Sequence, residues 1–300
     1  MDVSLITYAS CPGCGSEKIY PAFTATDHAV SGAVFEIWEC TDCGLRVTQH
    51  APDLSSMKVF YQSENYISHT DTGKGWINRL YHFIRQQTLM NKRLLLGSAT
   101  GMKRGKLLDI GAGTGAFVNH MKLHGWDSVG MEPDETARQL AKKIHQLDLL
   151  SVESLYDPGE DIYDAISLWH VLEHVHDLHG YLDQLKKIVR PRHGRIFIAV
   201  PNYTSYDARV YQKYWAAYDV PRHLYHFSPL SMKKLLLRHE FQLLSVQQMW
   251  FDSFYISLLS EKYKTGRTNF MKGFLVGTLS NAKAFVNKEH CSSLIYIISK

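Results

Sequence analysis

From residue 105 onward, apolar runs of strand length alternate with stretches of helical periodicity. Strands are predicted near residues 106–110, 127–131, 149–152, 163–169 and 194–200, and helices near 115–124, 134–146 and 177–189. Strands that alternate with helices of about 10 to 15 residues indicate a doubly wound, mostly parallel α/β sheet. Two later apolar runs, at 241–250 and 293–299, are expected to close that sheet as a hairpin.

The stretch ahead of this alternation predicts one long amphipathic helix. Apolar residues recur at mostly helical spacing from Trp76 to Leu96, and the pattern predicts an end before Gly97. Residues 52–75 are typical of a linker with an aromatic patch. We therefore expect three parts: residues 1–51, a linker and helix over 52–98, and a main domain over 99–300 with an aromatic insertion at 201–230.

Four of the five cysteines form two closely spaced pairs, each followed by a glycine. Cys11 and Cys14 make the first pair, and Cys40 and Cys43 make the second. Two such turns can complete a tetrahedral shell of thiolates around zinc, and metal binding would supply folding free energy that a core of about 50 residues lacks. We expect a structural zinc ribbon, with redox-active pairs and disulfides as the disfavoured alternatives. The fifth, Cys291, is expected to be a small buried residue.

Composition indicates a folded protein, since 45% of the 300 residues are hydrophobic and 21% are charged. The first ten residues lack a basic region followed by an apolar stretch, and no window approaches eighteen uninterrupted apolar residues. We therefore expect a cytoplasmic protein without a membrane span. A net charge of +4 is too small to indicate a nucleic-acid or membrane partner.

The charge is unevenly distributed along the chain. Residues 1–60 hold seven Asp or Glu against three Lys or Arg, so the predicted ribbon would be repelled by phosphates and nucleic acid is not an expected partner. The C-terminal part is basic, most of all at Lys262, Lys264, Arg267 and Lys272. For that stretch a solvated turn is favoured over a binding patch.

A glycine loop follows the strand predicted at 106–110. Gly111, Gly113 and Gly115 stand where the strand turns into a helix, a pattern that also fits a dinucleotide site with Glu132 on a ribose hydroxyl. Asp109, two residues before the first glycine, would repel a pyrophosphate but attract an ammonium group. S-adenosylmethionine has that ammonium and no phosphate, so the loop favours this ligand.

At these residues the sequence resembles the class I S-adenosylmethionine-dependent methyltransferases. The segment 109–115 matches their first motif, and Glu132 matches the acid that ends their second strand. Residues 163–175 and 196–202 are similar to their fourth and fifth strands, and the resemblance covers roughly residues 76–250. A four-cysteine ribbon ahead of such a domain also resembles certain deoxysugar C-methyltransferases.

The resemblance implies a Rossmann-like fold and a set of cofactor contacts. Asp109, Gly111 and Gly113 are expected at the methionine end and Glu132 at the ribose, while Glu153 or the backbone beside it is a candidate for the adenine. We include Gly115 and His170 among the candidate cofactor contacts.

Methyl transfer to a hydroxyl or carbon acid also requires removal of a proton, a task that suits histidine. His170 and His174 lie just past the fourth strand, where open α/β sheets bind ligands, although each could merely order the backbone. His223 and His226 lie in a second cluster, Pro-Arg-His-x-x-His-Phe-Ser, and His223 is the best candidate for a general base.

Two further patterns near these histidines leave alternatives open. Eight aromatic residues fall within 203–227, where they could line an acceptor pocket or form a lid packed on the sheet edge. Some quinone-pathway O-methyltransferases resemble the chain around the fourth strand and are expected to hold a divalent ion with E-x-x-E-H. Here His170 replaces the first acid, so a metal site of His170, Glu173 and His174 stands beside a plain helix start.

We therefore expect an enzyme that transfers a methyl group to a small-molecule acceptor, such as a sugar nucleotide or a phenolic metabolite. An RNA methyltransferase that uses the ribbon to grip RNA is one alternative, which the acidic ribbon disfavours. A noncatalytic cofactor-binding module that docks a protein partner is the other.

Overall fold

The computed structural model describes residues 4–61, 76–156 and 159–300, and for residues 76–83 it describes the backbone alone. Most of the linker expected at 52–75 therefore lies outside the described residues. Among the described residues, no helix is long and apolar enough to cross a membrane.

The N-terminal residues form short antiparallel strands, and we call residues 4–52 the cysteine module. Its strands are β1 (Leu5–Ile6), β2 (Ile19–Thr26), β3 (Val34–Cys40), β4 (Arg46–Gln49) and β5 (Ala51–Pro52). Strand β1 pairs with β5, while β2, β3 and β4 form one antiparallel sheet.

The helix predicted to start at Trp76 is α1 (Trp76–Thr100), and it extends beyond the expected end. The prediction of an end before Gly97 is wrong, because Gly97 lies inside the last turn, where its missing side chain leaves room for the carbonyl of Met102. The residue that ends the helix is Gly101, whose φ of 70° is the left-handed conformation of a helix C-cap.

Strands and helices then alternate as the sequence predicts. They are β6 (Lys106–Ile110), α2 (Ala116–Leu123), β7 (Asp127–Met131), α3 (Glu135–His145), β8 (Ala165–Trp169), α4 (Leu178–Ile188) and β9 (Arg195–Pro201). The strand predicted at 149–152 is absent: Leu150 makes one isolated parallel bridge to Met131, and a 3₁₀ helix begins at Val152. Leu150 lies half-exposed at the sheet edge, where no second strand holds it extended.

The remaining elements complete both sheets. They are α5 (Tyr206–Tyr211), β10 (Tyr225–His226), α6 (Pro229–Arg238), β11 (Gln242–Gln248), α7 (Asp252–Thr265), α8 (Phe270–Val286) and β12 (Ser293–Ser299). The main sheet has the order β11-β12-β9-β8-β6-β7, with β12 antiparallel to both of its neighbours. The predicted mostly parallel, Rossmann-like sheet is thus confirmed. The two late strands pair as expected, but two helices connect them instead of a tight turn.

Two features of this topology place the candidate site. The strand order reverses between β6 and β8, so the carboxyl ends of these strands form the switch point at which doubly wound sheets bind ligands. Strand β10 pairs with β4, so the sheet of the cysteine module includes a strand of the main domain. Arg46 and Val47 are the partners of His226 and Tyr225 in that pairing.

Candidate active site

The glycine loop leaves the carboxyl end of β6 in a conformation that L side chains rarely adopt. Gly111, Gly113 and Gly115 have φ values of 71°, 54° and 75°. A Cβ at Gly111 would overlap the side chain of Val171, which belongs to the loop after β8. The loops that follow β6 and β8 therefore pack directly against each other.

Asp109 lies buried in β6 beside the glycine loop. The hydroxyl of Ser167, its register partner in β8, donates a hydrogen bond of 2.6 Å to Oδ1 of Asp109. Burial raises the pKa of Asp109 to about 6, although the Ser167 hydrogen bond and the nearby charge of Lys92 act against the shift. A ligand cation would restore the full charge of this carboxylate.

Lys92 brings a positive charge from α1 to the same region. Its ammonium lies 4.1 Å from the ring centroid of Trp169, and burial lowers its pKa to about 8 against the attraction of Asp109 and Asp252. The helical pattern predicted α1 but gave no indication that one of its lysines would be desolvated near Asp109.

Glu132 follows the end of β7 and reaches across to the glycine loop. The backbone N–H of Gly113 donates to Oε2 at 2.8 Å, and the N–H of Asp134 donates to Oε1 at 3.0 Å. Each carboxylate oxygen keeps acceptor capacity for a ribose hydroxyl. Burial raises the pKa of Glu132, so the carboxylate has been taken out of water at this edge. Glu153, by contrast, is exposed on the 3₁₀ helix that starts at Val152.

His170 stands at the carboxyl end of β8 between two carboxylates. Its Nε2 lies 2.9 Å from Oδ2 of Asp252, and its Nδ1 lies 3.3 Å from Oε1 of Glu173. Burial alone would lower the pKa of His170, but the hydrogen bonds to Asp252 and Glu173 outweigh it and raise that pKa to about 10. A protonated imidazole donates two hydrogen bonds and cannot accept a proton near neutral pH.

His174 and His223 form a pair in the loops beyond β8 and before β10. Their ring centroids are 4.5 Å apart in an edge-to-face arrangement. Nδ1 of His174 lies 3.0 Å from the carbonyl oxygen of Arg222, and Nδ1 of His223 lies 2.9 Å from that of Ala217. Because a carbonyl only accepts, Nδ1 of His223 carries the proton and its neutral ring keeps the lone pair on Nε2. Nδ1 of His174 also lies 3.0 Å from the hydroxyl of Tyr61.

The environment of His223 keeps it neutral. Burial, followed by repulsion from His174, lowers the pKa of His223 well below its usual value. One ring nitrogen of each of these histidines and one carboxylate oxygen of Glu173 lie within 4.8 Å of one another. This group differs from the His170, Glu173 and His174 set that the sequence suggested as a metal site: His170 contacts Glu173 but is not part of the group.

His226 lies in β10 and contacts the cysteine module. Its Nε2 is 3.1 Å from Oγ1 of Thr48, and its Nδ1 has no hydrogen-bond partner among the described residues. Burial lowers the pKa of His226 to about 3. The same Thr48 hydroxyl donates to the carbonyl of His223 at 2.6 Å, so one threonine of the module contacts both histidines of the motif.

A buried cluster of charges ties the same loop to the module. The guanidinium of Arg222 lies 2.8 Å from Oδ1 of Asp27 in the module and 2.6 Å from Oδ1 of Asp219. Its Nη1 also donates to the carbonyl of Phe60. The Pro-Arg-His motif drew attention to this loop, but the partner Asp27 carries no sequence signal.

The aromatic insertion is mostly core. Five of its eight rings are buried, and they pack with apolar residues of the module and of α7 and α8; they are Tyr211, Trp215, Tyr218, Tyr225 and Phe227. This packing favours the lid interpretation. Beside these rings an open cleft of about 610 Å³ includes Arg46, Tyr203, Arg209 and Lys213 in its lining.

The four cysteines converge at one end of the module. Sγ of Cys11 lies 3.5 Å from that of Cys43, and Sγ of Cys14 lies 3.6 Å from that of Cys40, with all four within 4.8 Å of one another. Neither separation is a disulfide bond, and each links one pair to the other. Zn–S bonds of about 2.3 Å in a tetrahedron put sulfurs about 3.8 Å apart, so the donor set fits zinc. Cys291 is buried, as expected.

The fold and the glycine loop define a class of nucleotide-cofactor enzymes, and comparison with known proteins gives the family. A family model described as "Methyltransferase domain" matches residues 81–246, more than half of the chain. The chain therefore belongs to this methyltransferase family, and it is an S-adenosylmethionine-dependent methyltransferase.

Curated relatives match only part of the chain. A "Ubiquinone biosynthesis O-methyltransferase" from Alkalilimnicola ehrlichii is 29% identical over 105 residues, which cover 32% of this chain and 42% of that protein. A protein of the same name from Mesorhizobium japonicum is 33% identical over 107 residues, which cover 33% of this chain and 42% of that protein. The chain thus spans less than half the length of these two relatives.

Solved structures match over a larger share. The match to a SAM-dependent methyltransferase from Archaeoglobus fulgidus covers 72% of this chain and 94% of that protein's chain, with 17% identity and a TM-score of 0.49. A second match is to the 1,6-didemethyltoxoflavin-N1-methyltransferase of Burkholderia thailandensis, whose structure has bound 1,6-didemethyltoxoflavin and S-adenosylhomocysteine. This match covers 77% of this chain and 93% of that protein's chain, with 15% identity and a TM-score of 0.43.

Proposed function

We propose that this enzyme methylates a hydroxyl group of a small-molecule acceptor, with a phenolic metabolite as the leading candidate and a sugar nucleotide as the second. The observation that carries the proposal is the buried, neutral ring of His223, which packs edge-to-face against His174 in loops next to the glycine loop. Val171, three residues before His174, packs on Gly111, so the pair lies beside the candidate cofactor loop.

Different residues are proposed to bind the cofactor and to act on the acceptor. Bound S-adenosylmethionine supplies an electrophilic methyl group on its sulfonium. Asp109 would face the ammonium of the methionine end, where opposite charge would favour its ionised form, and Glu132 would accept hydrogen bonds from the ribose hydroxyls. The backbone of the glycine loop allows the close approach that side chains would prevent.

His223 is the proposed general base. Its Nδ1 donates to the carbonyl of Ala217, which fixes the ring and leaves the Nε2 lone pair for the acceptor proton. As the acceptor oxygen takes up the methyl group that bound S-adenosylmethionine would supply, the proton of that oxygen would move to Nε2 of His223. His174 lies edge-to-face against this ring and positions it. His170, held protonated by Asp252 and Glu173, orients Glu173 instead of accepting a proton.

The names of the relatives and the lining of the cleft support different acceptors. Proteins named for O-methylation in ubiquinone biosynthesis favour a phenolic hydroxyl. The cationic side chains of Arg46, Arg209 and Lys213 beside Tyr203 suit the diphosphate and ring of a sugar nucleotide. We infer in addition that Cys11, Cys14, Cys40 and Cys43 hold a structural zinc ion, since their sulfur separations fit one.

The proposal is tested by transfer of a labelled methyl group to two panels of acceptors, catechols and polyhydroxybenzoates on one side and nucleoside diphosphate sugars on the other. We expect turnover with the first panel, and His223→Gln should lower kcat by about a hundredfold or more with little change in KM. His193→Gln, at a histidine in an exposed turn, is the matched control and should leave kcat unchanged.

Turnover of sugar nucleotides alone would establish the second candidate acceptor and reject the first. A His223→Gln enzyme with normal kcat would remove this residue from the mechanism. Failure of both panels while labelled cofactor still binds would reject the acceptor classes and leave the enzyme class standing.

A further inference from the structure

Helices α7 and α8 form a hairpin in which α8 buries its small residues and exposes its large apolar ones. The positions that α8 buries are small or weakly apolar: Gly273, Val276, Gly277, Ser280 and Ala284. The positions that it exposes are large and apolar: Phe270, Met271, Phe274, Leu275, Leu279, Phe285 and Val286. A helix that packs only against its own protein normally shows the opposite distribution.

Close backbone packing explains how the hairpin holds together without its large side chains. A Cβ at Gly273 would lie 3.0 Å from Cα of Leu258, and one at Gly277 would lie 3.0 Å from Cα of Phe254. Small residues four apart that let two helices approach this closely are typical of helix pairs in lipid. Phe274 stacks on Phe254 of α7, and the other large apolar side chains of α8, with the exposed part of Phe274, are left for another contact.

The exposed fractions of these side chains are too large for incidental surface residues. Met271 is 86% exposed and Phe274 is 61% exposed, and they follow one another around the same face of α8. Contiguous apolar surface of this kind on a soluble protein marks an interaction site. The surface that these residues form is called the α8 face below.

Positive charge borders the α8 face at the turn of the hairpin. The sequence has no Asp or Glu between residues 262 and 288, while Lys262, Lys264 and Arg267 lie exposed around the turn. Lys272 pairs with the buried carboxylate of Glu261 at 3.0 Å, which compensates that one cation within the hairpin. The remaining cations add to the field around the apolar surface.

We propose that the α8 face binds the surface of an anionic phospholipid bilayer. Apolar side chains that enter the headgroup boundary, flanked by lysine and arginine at the lipid phosphates, are the two features that give interfacial helices their affinity. Neither helix spans a membrane, so the hairpin lies along the interface. A second copy whose α8 packed parallel to this one would bring the cationic turns of the two hairpins close together, which disfavours that arrangement.

The test is co-sedimentation of the full-length protein with vesicles, because it reads binding independently of methyl transfer. Vesicles of phosphatidylcholine alone are compared with vesicles in which part of that lipid is replaced by phosphatidylglycerol. We expect clear binding to the anionic vesicles, weaker binding to the neutral ones, and a decline as salt is added. A negative result here would leave the proposed function untouched.

Two variants separate the apolar and the charged contributions. Met271→Ser with Phe274→Ser should weaken binding to the anionic vesicles by about tenfold or more, since two exposed apolar groups no longer enter the lipid. Lys264→Glu with Arg267→Glu should weaken it by a similar factor and remove the salt dependence. The matched controls are Leu237→Ser, an exposed leucine on α6, and Lys122→Glu, an exposed lysine on α2.

Three results would overturn the proposal. The first is no binding to either kind of vesicle. The second is equal binding to the anionic vesicles by the two double variants and the two control variants. The third is a stable dimer, seen by light scattering, that Met271→Ser with Phe274→Ser converts to a monomer, since the α8 face would then be a contact between copies. Because the substituted side chains are exposed, unchanged circular dichroism is expected for each variant.

Discussion

The two sides of the candidate site are built in different ways. The cofactor side is nearly local, because Asp109, the glycine loop and Glu132 come from two neighbouring strands and the turns behind them. The acceptor side is assembled from distant segments: His174 follows β8, His223 precedes β10, and Thr48 of the cysteine module holds the His223 loop. The cofactor side should therefore form without the module, whereas the acceptor side depends on it.

The largest effect is expected from removing one cysteine of the module. Cys11→Ser should abolish methyl transfer, because a shell of three sulfurs no longer closes and the module that holds the His223 loop loses its folding free energy. Affinity for S-adenosylmethionine, measured by calorimetry, should change by less than about threefold. Elemental analysis should find about one zinc per chain in the wild type and little in the variant.

Cys291→Ala is the control for that variant, since it removes a buried thiol outside the cluster. Retained methyl transfer in Cys11→Ser, or an equal loss of cofactor binding, would contradict the division of the site into two sides.

A smaller but still large effect is expected at the buried charges of the acceptor side. Arg222→Met should lower the free energy of unfolding by about 3–5 kcal/mol, because it leaves the carboxylates of Asp27 and Asp219 without their buried partner. Urea denaturation measures this change. Lys233→Met, which breaks an exposed pair with Glu289, is the control and should cost less than about 1 kcal/mol. Similar losses in both variants would show that Arg222 does not hold the loop.

The cofactor side is probed by Asp109→Asn. The amide keeps a hydrogen bond from Ser167 but loses the charge, so affinity for S-adenosylmethionine should fall by about tenfold at neutral pH. In the wild type the affinity should also fall as the pH drops through about 6, the pKa to which burial raises Asp109. The variant should lack this pH dependence, and calorimetry across that range decides the matter.

Asp109→Asn should lower cofactor affinity but should not lower folding stability at neutral pH. Because the pKa of Asp109 is higher in the folded chain than in the unfolded one, its contribution to stability is lost as the pH rises through about 6. Asp109→Asn should therefore be as stable as the wild type or more stable at neutral pH. A clear loss of stability there would contradict a desolvated carboxylate.

The smallest effect concerns His170, whose folded pKa of about 10 lies above the usual value near 6.5. Its ion pairs therefore stabilise the fold fully below about pH 6.5, and this contribution is lost as the pH rises toward 10. Asp252→Asn removes one partner and should flatten this alkaline decline by about 1 kcal/mol at most, since His170 is partly exposed. The free energy of unfolding of the wild type and of Asp252→Asn is measured by denaturation between about pH 6 and 10. An equal decline in both proteins would show that the His170–Asp252 pair does not contribute to stability.

The parts that the sequence predicted are those that depend on neighbours in the chain. The spacing of the cysteines, and the acid and glycines at the end of β6, act within a few residues, and the structure brings each set together. The boundaries that failed also have local causes, since Gly101 and not Gly97 supplies the left-handed cap of α1.

The contacts that the sequence did not predict join segments that only the fold brings together. Asp252 reaches His170 from the first turn of α7, and Lys92 approaches Asp109 from α1. An aspartate at a helix start and a lysine on an amphipathic helix are ordinary features, so neither carries a signal of its own. The burial of small residues and the exposure of large apolar ones on α8 likewise become visible only when Gly273 and Gly277 are seen to face α7.

The pairing of β4 with β10 also has a consequence for the order in which the chain folds. Val47 meets Tyr225, a residue that leaves the ribosome about 180 positions later, so the edge of β4 stays open through most of synthesis. An open strand edge is a template for wrong pairing, and a nascent chain shortened before residue 225 would keep it permanently. Completion of the small N-terminal sheet is therefore a late event in the biogenesis of the enzyme, and the acceptor loop is ordered at the same moment.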